Sequence, residues 1–122
     1  MSDLIVWQRV EAALVFVASL ALFWQADSGL AWWLAAIVFF APDLSFAGYA
    51  AGSRVGATVY NTVHVYAFGL VVLAIGAAAS MPLLAGLGAL WLAHSGFDRM
   101  LGYGLKSTEG FGVTHLGRIG KR

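Results

Sequence analysis

Four apolar runs, separated by short polar breaks, organise the chain. The first starts near Leu4, crosses a polar patch of Gln8, Arg9 and Glu11, and is then apolar from Ala12 to Trp24 except for Ser19. A turn over residues 25–29 leads into a second run, 30–41, which meets Pro42-Asp43. Twelve helical residues rise only about 18 Å, short of a hydrocarbon core of about 30 Å. The helix is therefore expected to continue through Pro42, kinked by the missing backbone donor, into LSFAGYAAG. The third run, 55–79, carries Tyr60, Asn61 and His64 in its first half and no charge in its second. After the turn Ser80-Met81-Pro82, the fourth run, 83–105, holds His94, Asp98 and Arg99 near its end. The pattern predicts an all-α membrane bundle of four transmembrane helices, at about 4–24, 30–50, 55–79 and 83–105. A basic, Gly-rich tail, 106–122, follows.

Composition agrees with this pattern. Of 122 residues, 61% are hydrophobic and 11% charged, where a soluble domain carries about 25% charged residues. The N-terminal run lacks a convincing small-residue cleavage site and is expected to remain as the first span. With no cysteine in the chain, disulfides and thiolate metal sites are excluded. Arg9, Arg54, Arg99, Lys106, Arg118, Lys121 and Arg122 all fall at one set of helix ends, and the two opposite turns hold no base. The positive-inside rule then puts both termini in the cytoplasm, for a multi-pass protein of the inner membrane. Trp32 and Trp33 suit the interfacial aromatic belt. Gly48, Gly52 and Gly56 form either a close-packing helical stripe or a flexible loop. The short tail lacks interleaved aromatics, so its expected partner is membrane lipid and not nucleic acid.

The charged and polar positions add candidate chemistry. His94 and Asp98 are one helical turn apart on one face. On the predicted topology Glu11, Asp43, His64, His94 and Asp98 all lie in the cytoplasmic half of the bilayer, drawn from all four helices. Ionisable groups at membrane depth are costly unless they face protein or water. Two carboxylates and two imidazoles suit a divalent ion, Zn, Mn or Fe, with Asp43, His64, His94 and Asp98 as ligands. In that reading Glu11 transfers protons, while Asn61 and Arg99 orient a small lipophilic or lipid-linked substrate. Each feature also has a structural reading. Asp98–Arg99 and Arg9–Glu11 can be ion pairs, Asn61 and His64 interhelical hydrogen bonds, and Asp43 a helix cap. No phosphate-cradling loop, nucleophile elbow or zincin helix is present.

The series APDLSFAGYAAGSRVGATVYNTVHVY, WLAHSGFDRMLGYGLK and THLGRIG resembles a family of small bacterial integral membrane proteins, a domain of unknown function. The resemblance spans about residues 10–120 and implies four spans and an inner-membrane location, with no activity attached. A weaker similarity links the chain to the inner-membrane metal-dependent hydrolases. It rests on Pro42-Asp43, His64, and His94 with Asp98, and implies a metal-assisted hydrolase. The chain departs from that pattern in having one His in the middle motif and Glu11 where a His is expected. Four spans and one Glu in the first helix are also similar to the small multidrug exporters. That likeness implies a dimeric, proton-coupled exporter using Glu11. A structural or interaction protein, and a homodimer of any of these, remain open on the sequence.

Overall fold

A computed structural model describes residues 2–119; Gly120 and the basic pair Lys121 and Arg122 of the orientation argument lie outside the described residues. The chain forms α1 (Ser2–Ala26), α2 (Trp32–Phe40), a 3-10 helix (Ala41–Ala51), α3 (Ser53–His64), α4 (Tyr66–Ala78) and α5 (Pro82–Met100). Three short strands follow: β1 (Lys106–Ser107), β2 (Gly110–Thr114) and β3 (Gly117–Arg118). The fold is mostly helical, and the expectation of a purely helical chain is corrected by this antiparallel β1-β2-β3 sheet. β1 and β3 have two residues each, and β2, GFGVT, has glycine at two of its five positions, so no strand-forming run marks them in sequence.

α5 is the centre of the bundle. Ten of its residues, from Ala85 to Gly96, are buried, and α1, α4 and α2 all pack on it. Small residues permit this. A Cβ on Gly88 would run into the Leu73 backbone, one on Gly76 into Ala85, and one on Gly69 into Leu92, so α4 and α5 meet backbone to backbone. On the other side Gly96 lies against Ala12 and Phe16 of α1, where Ala12 and Ser19 are buried. Helix association in lipid depends on such close packing, because apolar side chains gain little by leaving lipid for one another. The outer faces are correspondingly apolar: Trp7, Leu14, Val17, Trp24, Trp32 and Leu44 are exposed. Two helices, Asp3–Ala26 and Trp32–Ala51, are long and apolar enough to cross a membrane, with a third crossing if α3 and α4 count as one broken span.

The second helix does pass through Pro42, and it changes its winding there. Eleven residues of 3-10 helix rise about 2.0 Å each, so α2 and its continuation reach about 35 Å, enough for a bilayer core. Of the two alternatives for the glycines here, close packing holds for Gly48 and Gly56, which let the 3-10 helix and α3 approach, but the three do not form one helical stripe. Gly52, at φ 109°, makes the corner, while Gly48 packs on Val59 and Gly56 on the Tyr49 ring. The third run is also not one helix. Its two halves, α3 and α4, meet at a 42° bend at Val65, where no Gly or Pro stands. The carbonyls freed by that break are taken by α5: Trp91 Nε1–H donates to Val63 O at 2.9 Å and Arg99 Nη2–H to His64 O at 3.1 Å. The fourth helix ends at Met100 and not at 105, where Arg9 Nε–H of α1 caps the Met100 carbonyl at 2.9 Å.

Gly88→Val should lower the thermal midpoint of detergent-purified protein, overpacking here costing on the order of 1–3 kcal/mol or more. Gly110→Ala, where an added Cβ meets nothing within 4 Å, should leave it near the wild-type value. Equal midpoints for the two variants would contradict the backbone contact between α4 and α5.

Candidate metal centre

Three elements bring four donor groups together. The 3-10 helix supplies Asp43, α3 ends on His64, and α5 supplies His94 and Asp98 one turn apart. Asp43 Oδ1 lies 3.0 Å from His94 Nε2 and 3.5 Å from His64 Nε2. Asp98 Oδ2 lies 3.2 Å and 3.6 Å from the same two nitrogens. All four donor atoms lie within 4.8 Å of one another. Ligands held at about 2.0–2.1 Å around a tetrahedral ion sit about 3.3 Å apart, so the observed nitrogen–oxygen edges bracket that spacing. The same set of two imidazoles and two carboxylates is acceptable to zinc, manganese or iron.

The tautomer of His64 gives an independent test of fit. Its Nδ1–H donates to the Tyr60 carbonyl oxygen at 2.8 Å, and its ring stacks on the Tyr60 ring with centroids 3.7 Å apart. A neutral imidazole that donates from Nδ1 presents a lone pair at Nε2. That Nε2 is buried, has no hydrogen-bond partner among the described residues, and faces two carboxylates. A lone pair and two carboxylate oxygens repel unless a proton or a metal cation lies between them. This is the ligand-plus-outer-hydrogen-bond arrangement that metal-binding histidines adopt. His94, fully buried, is held edge-on by Phe39 and Phe40, with Nε2 turned to both carboxylates.

The other nominated residues stand elsewhere. Asn61 closes a two-bond clamp on the tail: its Nδ2–H donates to Lys106 O at 2.8 Å and its Oδ1 accepts Lys106 N–H at 2.7 Å. Arg99 lies over the Tyr66 ring, 4.2 Å from its centroid, and holds the break carbonyl of His64. Glu11 is exposed on α1 and makes no hydrogen bond or ion pair among the described residues. Sequence reasoning did not single out Lys106. Its residue is 5% exposed, and its ammonium lies 3.8 Å from the Phe111 ring centroid and 4.9 Å from that of Tyr60. Burial lowers its pKa, and the charges of Asp98 and Asp43 oppose that shift. No local pattern marks it, because Asn61, which fixes its position, is 45 residues away.

The tail thus forms one wall of the site. Asp43, Asp98, Tyr60, Tyr103, Lys106 and Phe111 line a cavity of about 170 Å³. A cavity of about 350 Å³ at the opposite end, among Leu22, Leu73, Gly76 and Pro82, has no titratable lining residue. Residues 5–119 match the family described as Domain of unknown function (DUF4260). The chain belongs to that family. No curated protein and no solved structure matches it, so the likeness to the metal-dependent hydrolases gains no support from comparison.

His115 ties this wall to α1. Its Nδ1 accepts Leu105 N–H at 3.0 Å and its Nε2–H donates to Gln8 Oε1 at 3.3 Å, which requires the neutral ring. Burial, helped by the Arg99 charge, holds its pKa below the usual histidine value. The unfolded tail therefore takes up the proton first as pH falls. The stabilising contribution is complete above about pH 6.5 and is lost as pH falls through the lower folded value. Hydrogen exchange at the Leu105 amide, corrected for intrinsic rate, should accelerate on acidification, and this dependence should vanish in His115→Gln. Protection that is flat with pH in the wild type would contradict the assigned tautomer.

Proposed function

We propose that this is a four-span protein of the inner membrane, with both termini cytoplasmic, that binds one divalent metal ion through Asp43, His64, His94 and Asp98. The reading extends to a metal-assisted hydrolase acting on a lipid-soluble or lipid-linked substrate. One observation carries the metal: the unpartnered Nε2 lone pair of His64 aimed at two carboxylates. The carboxylate side of the cluster opens on the cavity under the tail, and Asp43 is 36% exposed, which favours a site that substrate can reach. A divalent ion at such a site supplies Lewis acidity and lowers the pKa of water. The chain's own residues do the rest. Tyr60 orients the His64 imidazole through its carbonyl and ring, Phe39 and Phe40 keep water from His94, and the tail closes the cavity. In this reading the hydroxyl placed for proton transfer is that of Tyr103, which lines the cavity, and not the exposed Glu11.

A second reading rests on Glu11 itself. A carboxylate on a face that also exposes Trp7 and Leu14 calls for a partner at membrane depth, which a second copy could provide, as in a dimeric exporter. That reading requires Glu11→Gln to abolish proton-coupled drug efflux while His94→Ala leaves it intact.

Detergent-purified wild type should contain about one equivalent of zinc, manganese or iron per chain, and His94→Ala should contain little. A chelator should lower the thermal midpoint of the wild type and leave that of His94→Ala unchanged, since only a bound ion adds stability by mass action. Wild type that stays folded, is metal-free and takes up none on addition would overturn the metal reading. Hydrolase substrates are then screened with His94→Ala as the blank.

A further inference from the structure

We propose that the cavity under the tail is a binding site for an anionic phosphoryl group, held between the metal cluster and the ammonium of Lys106. This rests on the metal reading above. Lys106 is more than nine-tenths buried, and no hydrogen bond to its ammonium is made among the described residues; only the faces of Phe111 and Tyr60 meet it. The ammonium is a strongly hydrated point charge with three donors, and ring faces replace only part of its hydration. An ammonium lining a cavity without an oxygen partner is a group awaiting one.

Charge leads to the same conclusion. Asp43 and Asp98 together cancel a divalent ion, and the two histidines bind it as neutral rings. Lys106 is then left as an uncompensated positive charge beside the ion, across a cavity that both carboxylates also line. A phosphoryl oxygen shared between cation and ammonium satisfies both, and Lys is a common phosphate binder for this reason. Size narrows the class further. The cavity, about 170 Å³, is smaller than the roughly 300–1,000 Å³ of a pocket that encloses a drug-sized ligand. It admits a head group and leaves the remainder of the molecule outside. Phe46 and Phe111, which line it and are 41% and 44% exposed, give the mouth an apolar rim. The matching chemistry is a terminal phosphate group, either free inorganic phosphate or the phosphomonoester head group of a lipid.

The test uses the full chain in detergent, loaded with manganese, with metal content measured before any phosphorus compound is added. Manganese shortens the 31P relaxation of a phosphate bound beside it. Inorganic phosphate and a short-chain phosphatidic acid serve as the two probes. Wild type should relax at least one of them: the lipid alone marks a lipid head-group site, and inorganic phosphate as well marks a free-phosphate site. Lys106→Met should keep its manganese and bind the probe roughly tenfold more weakly or worse, as expected for one lost charge-assisted contact. Lys106→Arg should keep both. If wild type holds manganese and relaxes neither probe, or Lys106→Met relaxes them as wild type does, the proposal is overturned and the metal site survives. If both variants lose manganese, Lys106 only holds the tail and cluster together, which also overturns it. Wild type that takes up none of manganese, zinc or iron removes the metal reading, and this proposal with it; wild type that takes up only zinc or iron is titrated with the same two probes by calorimetry, with the same outcomes expected of wild type and Lys106→Met.

Discussion

A helix that stops inside an apolar bundle leaves carbonyl oxygens with no water to accept from, and this constraint governs the centre of the molecule. At the α3–α4 break the oxygens of Val63 and His64 would each cost about 1–3 kcal/mol if orphaned. The Trp91 indole and the Arg99 guanidinium, both from α5, take them. The break is therefore stable only while α5 lies alongside, and glycines of both helices, Gly69 and Gly76 of α4 and Gly88 of α5, let the two approach. His64 sits at the end of α3 because the break is there, and its ring meets that of His94 at 5.2 Å for the same reason. Packing, backbone satisfaction and the placement of the cluster side chains form one connected arrangement.

The last turn of α3 divides its labour over five residues. Tyr60 carries the stack, its ring nearly parallel to those of both Phe46 and His64. Asn61 turns outward to act as a strand partner for Lys106, replacing a backbone pair with a side-chain amide. His64 turns inward to the carboxylates. Tail and cluster are thus built on neighbouring residues of one short helix, and a change in either is felt by the other through a few ångströms of rigid backbone.

The helices were legible as apolar runs because each run is long relative to the breaks between them, and Pro42 announced the disturbance in the second. The bend at Val65 was not legible: nothing in VHVY breaks a helix, and the groups that sustain it lie 28 and 35 residues away. The four cluster residues were legible from depth along the helices and from the four-residue spacing of His94 and Asp98. Depth gives only one coordinate of a position on a helix, however. Glu11 met the same depth criterion and faces outward, because its direction around α1 is set by where Ala12 and Ser19 pack. Asn61 and Arg99 were visible as polar groups, but their partners are backbone atoms of distant segments, which residue type does not encode. Lys106 was hidden for the same reason.

The winding of the second helix has a further consequence. In a 3-10 helix residues three apart eclipse, so Asp43, Phe46 and Tyr49 stand in one column. That column presents a carboxylate to the cluster, a ring to Tyr60 and a ring to Gly56. Rewound as an α-helix, the same residues would fan out by about 60° and 120° from Asp43, and the segment would shorten by about 5 Å. Reach and azimuth are therefore locked to one another. The helical pitch that lengthens this stretch is the same pitch that aligns a carboxylate with two aromatic rings, so neither can change without the other.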